Sequence, residues 1–90
     1  MTITEYGYKT ELSIIQYGEY IKKIVESTYK YDSFFEKPVF TPAEKEKYTT
    51  QINELVGYDK QEELIDLHDK IFQIKEGRRI SMRNREWHPP

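Results

Sequence analysis

The chain has no cysteine. No disulfide can staple it, and no thiolate can bind a metal or act as a nucleophile. Long hydrophobic runs are missing too: the longest uninterrupted apolar stretch is two residues, against the roughly 20 that span a bilayer. The start, MTITEYGYKTEL, has no basic segment followed by an apolar one, so no signal peptide is expected. These absences lead to the expectation of a soluble protein acting in the cytoplasm, the host cytoplasm if the source is viral.

Histidine occurs twice, at His68 and His88. A helical metal pair needs a second ligand three or four positions away. Around His68 those positions hold Leu64, Ile65, Ile71 and Phe72, so neither a metal nor any other cofactor is expected. His68 on an apolar stripe reads as a core or interface histidine with one satisfied hydrogen bond. No glycine-rich phosphate loop and no G-x-S-x-G turn occur. The carboxylates Glu62, Glu63, Asp66 and Asp69 have the spacing of a solvated helix face. A catalytic acid needs an enclosure that tunes its pKa, and 90 residues offer little. The chain is read as non-enzymatic.

What is present is charge and aromatic surface. Charged residues are 33% and hydrophobic residues 37%, with 14% aromatic including eight tyrosines, enough to argue against full disorder. A single domain this short has a thin core, which tyrosines help to fill, or which a second copy helps to cover. Net charge is −2 but unevenly spread: residues 1–76 hold 10 Lys/Arg against 15 Asp/Glu, and residues 77–90 hold four Arg against one Glu. The body is acidic and the end is basic.

Periodicity predicts an all-α domain of three helices, over 11–29, 42–56 and 60–76, preceded by an extended arm or short strand at 1–9. Residues 1–77 form the domain and 78–90 a basic tail. Thr10 is read as the first N-cap. Ile14, Tyr17, Ile21 and Ile24 recur at helical steps, and Gly18 inside that stripe reads as a point of close helix approach. The second start is stronger: Thr41, Pro42 and Glu44 in TPAE form an N-cap, a proline at N1 and a capping-box partner. Gly57 reads as the residue after that helix, and Asp59 with Glu62 as the cap of the third. Gly77 reads as its stop. The short link Gly57–Asp59 makes the last two helices a helical hairpin. The expected interior is Ile14, Ile21, Ile24, Ile52, Leu55, Leu64, Ile71 and Phe72.

The hairpin spacing also suggests a DNA-reading helix-turn-helix, but the acidic residues of 60–76 repel phosphate. The basic tail is the better nucleic-acid candidate: Arg78, Arg79, Arg83 and Arg85 suit phosphates, and Trp87 could stack on a base. It could equally fold back onto acidic helix faces. Arg78–Ser81, RRIS, matches a basophilic kinase pattern of low specificity. The other cluster is aromatic. Tyr29, Tyr31, Phe34, Phe35 and Phe40 fall within twelve residues, more than a short connection normally hides. With Trp87 they are the types enriched at binding hot spots.

The function expected from the sequence is a small protein-binding adaptor or inhibitor. It would occlude a surface of a larger protein, with the aromatics as anchor and acidic helix faces against basic surface. The composition is that of a viral or phage accessory protein, and a homo-oligomer through an aromatic or helical face is expected. The alternative is a nucleic-acid- or nucleotide-binding regulator using the arginine tail.

Overall fold

The computed structural model describes residues 1–5, 7–30 and 36–86. The element order is β1 (Thr2–Glu5), β2 (Tyr8–Glu11), α1 (Ile14–Val25), β3 (Thr28–Lys30), β4 (Glu36–Pro38), α2 (Pro42–Gly57) and α3 (Gln61–Glu86). Two small antiparallel sheets of two strands each accompany the three helices. The all-α expectation is therefore corrected to a mixed α+β domain.

The first sheet replaces the extended arm. Thr2 pairs with Glu11, Ile3 with Thr10, Thr4 with Lys9 and Glu5 with Tyr8. Gly7, at φ 81°, lies in the turn, a left-handed conformation that glycine takes at little cost. This is why the predicted first helix starts three residues late. Thr10 belongs to β2, and Ser13 is the N-cap. Its hydroxyl accepts from the Gln16 amide at 3.2 Å, and the Ser13 amide donates to Gln16 Oε1 at 3.0 Å, a complete capping box.

α1 also ends early, at Val25. The Ser27 amide and hydroxyl both donate to the Ile24 carbonyl, at 3.1 and 2.5 Å. Thr28 and Tyr29, β-branched and aromatic, then suit a strand. They pair with Pro38 and Lys37 of β4.

α2 begins where its cap predicts. Thr41 accepts from the Glu44 amide at 3.2 Å, and the Thr41 amide donates to Glu44 Oε1 at 2.9 Å. Its end differs. Gly57 is the last helical residue, and Asp59 takes the left-handed conformation at φ 53°. The Lys60 amide donates to the Leu55 carbonyl at 2.9 Å and the Asp59 amide to Val56 at 3.2 Å. These two bonds are a Schellman closure with aspartate at the position glycine usually holds. Asp59 therefore ends α2 and does not cap α3.

α3 runs through Gly77 to Glu86. A helical glycine costs only about 1 kcal/mol relative to alanine, and Glu76 pairs with Arg79 across it at 2.8 Å. Nothing surrounds Gly77 that a side chain would meet, so it neither stops the helix nor serves its packing.

The core joins Tyr17, Ile21 and Val25 of α1, Tyr48 and Ile52 of α2, and Leu64, Leu67 and Ile71 of α3, closed by Tyr29, Val39 and Phe40. Of the expected interior, Ile21, Ile52, Leu64 and Ile71 are fully buried, while Ile14, Ile24 and Leu55 pack at its margin. Phe72 does not belong to it and is 50% exposed. Gly18 is the contact point of α1 with α2: a Cβ there would lie 2.7 Å from Val56 Cγ2 and 3.4 Å from Ile52 Cγ2. The close approach expected from the sequence is what the glycine permits.

Candidate functional site

The arginines and aromatics singled out above take different places. Tyr29 and Phe40 are in the core, Phe40 at 1% exposure. They are not surface anchors in the folded chain. Buried Tyr29 donates its hydroxyl to the Lys75 carbonyl at 2.8 Å, and its pKa is raised mainly by burial. Tyr31, Phe34, Phe35 and Trp87 lie outside the described residues.

Arg78 is not part of a detached tail. Its guanidinium donates to both oxygens of Glu44, at 2.9 and 2.7 Å, and to the Val39 carbonyl at 2.9 Å. It also stands 5.3 Å from the centre of the Phe40 ring, within cation–π range. The charge-assisted bonds hold the Glu44 carboxyl down at about 2 and push Arg78 up. Arg79 pairs with Glu76. Two of the four arginines thus have carboxylate partners within the chain. Arg83 and Arg85 fall in the last turns of α3.

The residues that gather around an accessible depression are others. A groove of about 430 Å³ opens between the first hairpin, α1 and α3. Thr2, Ile3 and Thr4 of β1 form one wall, and Ile65, His68, Asp69 and Phe72 of α3 form the other. Tyr17 and Tyr20 of α1 contribute between them.

Local rules explain this wall. Leu64, Leu67 and Ile71 make the buried stripe of α3. Ile65 and Phe72, seven residues apart, form a second stripe one helical position round. A helix on a thin core cannot bury both, so Ile65 stays 42% and Phe72 50% exposed. The signal was present in the sequence. Two apolar faces on one helix exceed what two short neighbours can cover, which is why Phe72, expected inside, is half-exposed.

The groove contains a hydrogen-bonded polar pair. The Tyr17 hydroxyl is hydrogen-bonded to His68 Nδ1. The His68 ring meets Tyr17 and Tyr20 edge-on, with centroids at 5.3 and 5.5 Å. Burial pushes the Tyr17 pKa up to about 12, helped by the nearby Asp69 charge. Burial also lowers the His68 pKa, with Asp69 acting in the opposite direction. Both shifts favour neutral partners. A protonated Tyr17 then donates to Nδ1 of a neutral His68. The pair is an ordered amphipathic floor: rings for an apolar side chain and one polar edge.

Asp69 is exposed on the same wall. The site is therefore largely apolar, with one carboxylate in its lining. Among the described residues no group of three or more His, Asp or Glu side chains is placed to hold a metal ion. Among the same residues no helix is long and apolar enough to cross a membrane.

Comparison with protein-family models, with curated proteins and with solved structures finds no match to this chain.

Proposed function

We propose that this chain is a small non-enzymatic protein-binding module, an adaptor or inhibitor that acts in the cytoplasm by covering surface on a larger protein. One observation carries the reading: Phe72 and Ile65 stand half-exposed on the wall of an open groove floored by Tyr17 and Tyr20. Large rigid aromatic groups in a concave apolar setting are what binding hot spots use, because they bring area at small entropic cost. In this reading the groove supplies an anchor. Asp69 in its lining favours a partner with a basic group, through rate and specificity more than affinity.

The test is capture of a partner from the source cell, followed by titration with that partner purified. Phe72→Asp and Ile65→Asp should each weaken the titrated interaction by at least about tenfold. Tyr58→Asp, at an exposed aromatic outside the groove, should leave it unchanged. Equal binding by all three variants, with folding verified by circular dichroism, sinks the reading.

A further inference from the structure

Among the described residues β1 has no strand on its outer side, its sheet being the pair β1 and β2. The direction of its backbone groups follows from the register. Met1 and Leu12 exchange both of their bonds: the Met1 nitrogen donates to the Leu12 carbonyl at 2.8 Å, and the Leu12 amide donates to Met1 at 2.6 Å. In an antiparallel ladder, hydrogen-bonded and non-hydrogen-bonded pairs alternate. With Ile3 opposite Thr10 and Glu5 opposite Tyr8, those pairs are the bonded ones. The N–H and C=O groups of Thr2 and Thr4 therefore point away from β2. Among the described residues none of these groups has a backbone or side-chain partner.

This free edge borders the groove. Thr2 and Thr4 line it together with Ile65, Asp69 and Phe72 of the opposite wall. Edge strands are commonly guarded by lysine, proline or a bulge. β1, TITE, has none of these and is rich in β-branched residues.

We propose that the groove takes an extended segment of the partner, added as a third strand along β1. The inference rests on the reading of the groove as a protein-binding site and states the form its occupant takes. A strand supplies donors and acceptors to Thr2 and Thr4. A helix keeps its own backbone groups internally bonded and cannot. The added strand alternates its side chains. One set faces α3, with apolar side chains against Phe72, Ile65 and Tyr20 and a Lys or Arg against the Asp69 carboxylate of the same wall. The occupant is thus an extended apolar–basic peptide, and the edge bonds give affinity while the groove and Asp69 give selection.

The probe is a set of blocked heptapeptides with threonine at alternate positions; of the set facing α3, one central position is Lys, Thr or Glu and the rest are valine, and each is titrated into isotope-labelled protein. The lysine peptide should bind best. It should slow hydrogen exchange at the Thr2 and Thr4 amides by on the order of tenfold or more. Methylating the peptide nitrogens that face β1 should weaken binding by about tenfold or more, and Asp69→Lys should shift preference to the glutamate peptide. The proposal is overturned if no peptide binds or if methylated and unmethylated peptides bind alike. It is equally overturned if the protein sediments as a dimer whose β1 edges protect each other. A methylated peptide that binds undiminished yet is lost in Phe72→Asp rejects the added strand while leaving the groove reading intact. Retention of purified partner by Phe72→Asp and Ile65→Asp rejects the groove itself.

Discussion

Arg78 on α3 clasps Glu44 on α2 through two nitrogens, at 2.9 and 2.7 Å. Glu44 is the same residue that closes the α2 capping box, since its Oε1 also accepts from the Thr41 amide at 2.9 Å. One carboxylate therefore serves a local rule and a contact spanning 34 residues.

Removing the guanidinium in Arg78→Ala should lower stability by about 1–2 kcal/mol, because two charge-assisted bonds are lost and the Val39 carbonyl loses its donor. Partial exposure keeps the effect below that of a buried pair. The urea midpoint is the measurement. Arg78→Lys should recover only part of the loss, since an ammonium cannot form the same fork.

Acid should weaken the same clasp. The Glu44 carboxyl sits at about 2 in the folded chain against an ordinary 4.5. Its contribution is complete above 4.5 and disappears as pH falls through about 2. A Glu44→Gln protein should be less stable at neutral pH and lose less over that window, as followed by circular dichroism.

Two glycines in helices should respond oppositely to alanine. Gly18→Ala places a Cβ 2.7 Å from Val56 Cγ2, on a β-branched side chain that has few rotamers to escape into. Overpacking of about 1–3 kcal/mol should outweigh the roughly 1 kcal/mol of helix propensity gained. At Gly77 nothing opposes the substitution, so Gly77→Ala should raise the thermal midpoint.

Asp59 holds φ 53° at the end of α2. Glycine accepts that conformation without a Cβ penalty, so Asp59→Gly should stabilise the domain by about 0.5–1 kcal/mol. A fall in the urea midpoint would mean that the aspartate side chain contributes more than its backbone costs.

His68 should give a second pH step. Its pKa is lowered from 6.5 by burial between Tyr17 and Tyr20. The unfolded chain therefore takes up the proton first as pH falls. Stability is full above about 6.5 and declines below it until the folded imidazole titrates too. Thermal midpoints of wild type and His68→Gln should converge as pH falls from 7 toward 5.

Helix starts were legible where side chain and backbone lie within one turn. Thr41 and Glu44 cap α2 as their spacing predicts. Ser13 and Gln16 carry the same signature in SIIQ, three residues beyond the Thr10 that the sequence reading takes as the cap. The central stripe residues Ile21, Ile52, Leu64 and Ile71 were legible, as was the close approach at Gly18. The first hairpin is only half legible: residues 1–9 read as an extended arm or short strand, and Gly7 makes the turn that pairs β1 with β2.

Sequence by itself determined the α2 cap and the central apolar stripe of each helix, because those depend on residues three or four apart. Tertiary structure decided where α1 stops, that α3 continues through Gly77, that Phe40 is inside while Phe72 is not, and that β1 faces α3 across a groove. Those outcomes depend on partners such as Tyr17 with His68, 51 residues apart, and Arg78 with Glu44. Local preferences of about 1 kcal/mol per residue are outweighed once such distant groups meet and share a surface removed from water.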